Sequence, residues 1–233
     1  MKIIIPTCDK YRNILEANKY TMDKFGGSNL DITILGYKKP EFDMGNWKFF
    51  CLGNDNGADN FTNDIYNFFK DFKDEYFIYG NDDIVAVDEL NIEMINEFKK
   101  LMDNDDKVVK ICLTSAAPSV YGNDIYKNGN DYNFIKLPNN GEYRLSLHYG
   151  VWRTSYFMKY FELGISPWEW ELRDVAKNDG AIILGTDKKH VLDFGHILRR
   201  GGMITETWYK SLYTNKQLND DDIQYVKKII ENL

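Results

Sequence analysis

Two adjacent carboxylates, Asp82 and Asp83, follow an apolar aromatic run, Glu75-Tyr76-Phe77-Ile78-Tyr79, and the Gly80-Asn81 pair that ends it. Side by side at the end of a strand, two carboxylates repel each other unless a proton or a cation lies between them. Carboxylate, phosphate and water oxygens are the ligands that Mg2+ and Mn2+ prefer. The pair therefore points to Mn2+ or Mg2+ bound to a diphosphate that departs as a leaving group. Adjacent residues on an extended chain face opposite ways. Asp83 is expected to hold the ion, with Asp82 on the ribose or on a metal-bound water. The plainer reading is a solvated turn or a helix cap, since Asp is common in such turns.

A second group lies in the C-terminal half, Ser166-Pro167-Trp168-Glu169-Trp170-Glu171. Ser166 followed by Pro167 and Glu169 spells a helix start closed by a capping box. That engages Glu169 and leaves Glu171 free. Two residues apart on a helix, the two glutamates face different directions. A carboxylate beside aromatic surface is partly desolvated, which favours general-base behaviour. Glu171 is the expected base and Glu169 the second choice, with Trp168 or Trp170 as sugar or acceptor walls. Arg199-Arg200-Gly201-Gly202 offers guanidinium groups and free backbone N–H groups to phosphate. His196, nearer to it than His190, is the candidate third metal ligand beside Asp82 and Asp83. No role is assigned to His148. Pro6, Thr7 and Asp9 end the first strand and could touch base and ribose, as could Asp59, although each also reads as a turn or cap residue.

The elements that must position these residues alternate. Lys2 to Ile5 reads as a buried strand, and Asp9 caps a helix reaching Phe25 with Tyr11, Leu15, Met22 and Phe25 on one face. Strands follow at 31–36 and 47–52, a Gly-Asn loop at 53–57, and a helix at 59–72. The strand carrying the acidic pair comes next, then a helix at 88–102 and a strand at 107–113. Such alternation implies a mostly parallel sheet with helices on both faces and ligands outside the strands' carboxyl ends. Beyond residue 114 the pattern loosens. Residues 116–130 read as a loop or lid, 132–137 and 143–148 as a hairpin, 154–161 and 167–177 as helices, 181–184 and 190–194 as short strands, and 220–233 as an amphipathic helix. One domain over 1–233 is expected, with a nucleotide-binding half (1–113) and an acceptor-binding half (114–233).

The 233 residues include 43% hydrophobic and 15% aromatic side chains, enough for a substantial core. A net charge of −7 argues against a nonspecific nucleic-acid binder, which needs a basic face. Cys8, Cys51 and Cys112 lie far apart with no CxxC pair, so buried free thiols are expected. The first residues carry too short an apolar run for a signal peptide, and no stretch approaches membrane-spanning length. A cytoplasmic protein is expected, in host cytoplasm if the source is viral.

In order along nearly the whole chain, these motifs resemble the nucleotide-sugar glycosyltransferases of GT-A fold, of the small microbial and viral type. The first strand with Pro6-Thr7 resembles their opening, and Asp82-Asp83 their D-x-D metal motif, with Asn81 at its first position. Val151-Trp152-Arg153 and the Trp168-to-Glu171 segment are similar to the acceptor-side helix start, and Arg199-Gly201-Gly202 to the C-terminal basic loop. The resemblance implies an α/β GT-A (Rossmann-like) fold with a smaller acceptor-side elaboration. It implies transfer of a sugar from a nucleotide diphosphate donor, with UDP-sugars expected. The acceptor hydroxyl stays open: glycan, protein, small molecule or modified DNA. A nucleotidyltransferase that makes the activated sugar is one rival, although the first loop, Pro6-Thr7-Cys8-Asp9-Lys10, has no glycine. A sugar- or nucleotide-binding module without turnover is the other.

Overall fold

A computed structural model describes all residues except 28, 116–117, 200–202, 205–217 and 232–233. The first half alternates as its hydrophobic periodicity predicts: β1 (Lys2–Pro6), α1 (Leu15–Gly26), β2 (Ile32–Gly36), β3 (Lys48–Cys51), α2 (Phe61–Phe69), β4 (Tyr76–Tyr79), β5 (Ile84–Ala86), α3 (Ile92–Asn104) and β6 (Val108–Ser115). The second half adds α4 (Pro118–Tyr121), β7 (Ile125–Asn128), β8 (Asn133–Lys136), β9 (Gly150–Arg153), α5 (Thr154–Lys159), α6 (Pro167–Glu171) and β10 (Ile182–Thr186). It continues with β11 (Phe194–His196), β12 (Leu198–Arg199), β13 (Met203–Ile204) and a C-terminal helix, α7 (Asp220–Glu231).

Nine strands form the main sheet in the order β3-β2-β1-β4-β9-β6-β10-β8-β7. Only β9 and β8 run against the rest, so the sheet is mixed but mostly parallel. Alternate residues of each strand feed opposite faces, as the period-2 pleat requires. Ile3 and Ile5 pack with α1, α3 and α7 on one face, while Ile4, Phe77 and Tyr79 pack with α2, α5 and α6 on the other. The result is a three-layer α/β sandwich with two apolar cores. No helix among the described residues is long and apolar enough to cross a membrane.

Several expectations are corrected. Asp9 does not cap α1, which starts at Leu15 after a short 3-10 turn and has no side-chain cap. The expected hairpin of 132–137 with 143–148 does not form. β8 pairs instead with β7, inside the expected lid, and with β10, while residues 143–148 run as turns. β9 fills the gap between β4 and β6 and turns two neighbouring strands into sheet partners of a distant segment. Nor is every thiol buried: Cys112 is, but Cys51 is exposed and Cys8 half-buried.

The turns at 137–149 are held from below by Arg144. Its guanidinium is buried and donates to the carbonyls of Pro138, Ala176 and Ala181 and to the Asp179 carboxylate at 3.0 Å. Asp179, whose side chain is 6% exposed, accepts from the Tyr156 and Tyr160 hydroxyls at 2.9 Å. Removing one member of a buried, hydrogen-bonded pair strands the other charge in low dielectric. Arg144→Met is therefore expected to destabilise the fold by about 3–5 kcal/mol. Urea denaturation followed by tryptophan fluorescence measures it, and a loss below 1 kcal/mol would remove Arg144 as the keystone of this segment.

Candidate active site at the carboxyl edge of the sheet

A cavity of about 620 Å³ opens where β1 and β4 end, and its lining joins residues far apart in sequence: Pro6, Thr7, Asp82, Asp83, Trp168 and Glu171. β1 delivers Pro6 and Thr7. β4 delivers Gly80 to Asp83, and the chain passes so close to the Tyr149 ring that a Cβ on Gly80 would lie 2.8 Å from it. Side-chain-free passage is needed there.

Asp82 is aimed inward. Its Oδ2 accepts from Thr7 Oγ1 at 2.7 Å. Burial, then the neighbouring Asp83 charge, pushes its carboxyl up to about 7, while the Thr7 bond pulls the other way. Asp83 faces the other side, toward His196, whose Nδ1 lies 3.5 Å from Asp83 Oδ2. β11 makes that possible: it pairs antiparallel with β5, with His196 opposite Ile84. The Ile197 amide then donates to the Asp83 carbonyl at 2.8 Å. His148 lies against this corner, its ring 5.7 Å from the His196 ring, and burial pushes its pKa down to about 4.

Glu171 reaches the cavity from the end of α6. Its Oε1 accepts from the Leu147 amide at 2.6 Å and from Ser146 Oγ at 3.0 Å. That leaves Oε2 without a protein donor among the described residues. Beneath lies Lys110, buried, which donates to the Ser146 carbonyl at 2.5 Å and packs 4.4 Å from the Trp152 ring centre. Burial lowers the Lys110 pKa.

The other sequence candidates are placed elsewhere. Glu169 closes the capping box, with the Ser166 amide and hydroxyl both donating to its Oε2 at 2.8 Å. Those two donors hold its carboxyl below the usual carboxylate range. Trp170 cannot be a wall: it is fully buried between Phe157 and Phe161, because the opposite face of α6 from Trp168 packs on the sheet. Trp168, 64% exposed, stands at the mouth. Asp9 pairs with the Lys38 amide and ammonium rather than lining the cavity. Asp59 is exposed in the 3-10 turn Ala58–Asn60, outside the lining. Arg200 and Gly201 lie outside the described residues, and Arg199 is described only through the backbone of β12.

Sequence reasoning missed the far end of the cavity, lined by Tyr11, Tyr37, Asp55, Phe61 and Ile65. Asp55 is pinned by the amides of Asp9 and Gly57 at 3.0 Å each. Tyr37 donates to Asp64 at 2.6 Å, and burial together with that bond raises the phenol's pKa far above its ordinary value. One signal was present: an acidic residue between two glycines in the loop after β3, at the same sheet edge.

Among the described lining residues the charged ones are Asp55, Asp82, Asp83 and Glu171, all acidic. Charges of that sign repel an anion, and a cation placed among them offsets the repulsion. Among the described residues, no three His, Cys, Asp or Glu side chains gather into a ready-made metal cage. The donors present, two carboxylate residues with an imidazole beside one of them, fit a hard divalent ion that completes its shell with phosphate and water.

A mostly parallel sheet with the acidic turn after its fourth strand in sequence, antiparallel β9 beside it, and helices on both faces is a GT-A-type α/β fold. The chain is similar to residues 1–349 of TarS from S. aureus in complex with UDP-GlcNAc, with 12% identity over 98% of this chain and 70% of that one, and a TM-score of 0.51. It is similar to the same degree to a protein assigned as a glucose-1-phosphate thymidylyltransferase from Bacillus anthracis, in complex with a sucrose, at 12% identity over 94% of this chain and 96% of that one, TM-score 0.51. The chain spans 38% of the longer TarS structure, at 12% identity over 98% of this chain and TM-score 0.47. At such identities the likeness shows the fold alone. No protein-family model and no curated protein matches the chain.

Proposed function

We propose that the protein is a glycosyltransferase that moves a sugar from a nucleotide diphosphate donor to an acceptor hydroxyl with the help of a divalent ion. One observation carries this reading: one cavity joins Asp82-Asp83 at the sheet edge to a Glu171 that, among the described residues, is anchored through Oε1. Asp83 and Asp82 would hold Mn2+ or Mg2+, with His196 beside Asp83 as a further donor. The ion would supply positive charge for the departing diphosphate. Pro6 and Thr7 border the donor, and Thr7 keeps Asp82 oriented. Glu171 Oε2 takes the acceptor proton if the reaction inverts, while Ser146 and the Leu147 amide keep the carboxylate in place through Oε1. The exposed Trp168 ring offers the acceptor an apolar face. A UDP-sugar is the donor the reading favours. The acceptor-side residues come from the second half of the chain, 114–233, and the donor-side residues from the first, 1–113.

The likeness to a thymidylyltransferase supports one rival, activation of a sugar phosphate by a nucleoside triphosphate. Against it, the loop after β1 has no glycine, and a glutamate across the cavity has no evident task in that chemistry. Incubation with UDP-sugars and Mn2+ is expected to release UDP, with no pyrophosphate formed from UTP and sugar 1-phosphates. Pyrophosphate without UDP release would transfer the assignment to the rival. Stabilisation by UDP–Mn2+ in thermal melts without any turnover would favour a binding module.

A further inference from the structure

Helix α1 presents Leu15, Met22 and Phe25 to the core, and Asn18 sits among them, fully buried. An amide is a poor choice there. It lowers helix propensity, and among the described residues its Oδ1 makes no well-formed hydrogen bond, although the Tyr149 hydroxyl lies beside the amide. A leucine at this position would carry neither cost.

What the amide does is specific. Its Nδ2 donates to the Asn81 carbonyl at 3.2 Å and to the Ile84 carbonyl at 2.6 Å. These carbonyls stand immediately before and after Asp82-Asp83. One side chain thus brackets the acidic pair from the helix side, while the Ile197 amide holds the Asp83 carbonyl from the β11 side. Gly80 and the Tyr149 ring close the approach to the turn. Between these anchors the backbone of the pair has little freedom, and the directions of the two carboxylates are set by it.

We infer that Asn18 is a positioning residue that fixes the spread of the Asp82 and Asp83 carboxylates for a divalent cation. The inference rests on the metal-assisted reading of the cavity. Asn18 touches neither donor nor acceptor and is outside the cavity lining. It acts only through the turn, as outer partners of metal ligands do.

The test is Mn2+ binding in the presence of UDP, read from the free-ion signal in electron paramagnetic resonance. Asn18→Leu keeps the side chain's bulk and removes both donors. Loss of an outer partner costs about 10–100-fold in metal affinity, and Asn18→Leu is expected to weaken Mn2+ binding by that factor. In donor hydrolysis the Mn2+ concentration for half-maximal rate is expected to move by more than kcat does. Asn18→Ser, which leaves room for a water to bridge the same carbonyls, should fall between wild type and Asn18→Leu; it takes over the measurement if the leucine variant does not fold. Wild-type Mn2+ affinity in a folded Asn18→Leu protein overturns the inference and leaves the functional reading standing. A fall in kcat at unchanged metal affinity also overturns it. A wild-type protein that binds no Mn2+ with UDP overturns both.

Discussion

Asp83→Ala is expected to abolish metal-dependent donor cleavage while leaving the fold at least as stable as before. Two terms set the size of the loss. The carboxylate is the outward-facing member of the pair, 3.5 Å from His196, and the remaining charges lining the cavity are also acidic among the described residues. Without that ligand the diphosphate would meet those carboxylates with its own charge uncompensated. Loss of one preorganised electrostatic contact to a leaving group costs about 10²–10³-fold in kcat, and loss of the ion itself costs more. Stability should move the other way. Asp83 is one reason that the Asp82 carboxyl lies near 7, so its removal relieves like-charge repulsion. The expected signature is an unchanged or raised melting temperature of the protein alone, together with loss of the stabilisation by UDP and Mn2+. UDP release that persists unaltered in Asp83→Ala would falsify the metal-assisted reading.

Glu171→Gln carries the second large effect. Glutamine is isosteric and its carbonyl oxygen can still accept from Ser146 and from the Leu147 amide, so the side chain should stay where the glutamate is. What disappears is the basic oxygen. General-base contributions are typically about 10²–10⁴-fold, and a fall of that size is expected in kcat for transfer, or for hydrolysis with water as acceptor. The KM for donor should change little, because the proposed donor-side residues, Pro6, Thr7, Asp82 and Asp83, lie across the cavity at the end of β1 and on the turns after β1 and β4. Steady-state rates of UDP release at saturating donor measure it. An unchanged kcat would remove Glu171 as the base and point to a retaining course in which the carboxylate has another task.

The acidic turn and the capping box were legible because each depends on neighbours in sequence. An apolar strand that ends in Gly-Asn-Asp-Asp presents its charges at a sheet edge wherever the strand sits. Ser166, Pro167 and Glu169 close a helix start through bonds spanning three residues. Trp168 and Trp170 were not separable in the same way. They are two apart on a five-residue helix, and only the packing of α6 on Phe157 and Phe161 decides which ring is buried. Asp59 and Asp55 differ likewise: both lie near the start of α2, but it is the amides of Asp9 and Gly57 that draw Asp55 to the cavity.

By itself, the sequence determined the alternation of strand and helix, the sheet edge at which the acidic pair lies, and the acidic character of the turn after β4. Those follow from periodicity and from the chemistry of adjacent residues, which act over a few positions of the chain. Tertiary structure alone decided that β9 inserts between β4 and β6, that β11 carries His196 to Asp83, and that residues 146–147 grip Glu171. These contacts join segments tens of residues apart. Their partners are selected by the burial of whole faces and by the need of each buried donor and acceptor for a mate, and neither requirement is written in any local stretch.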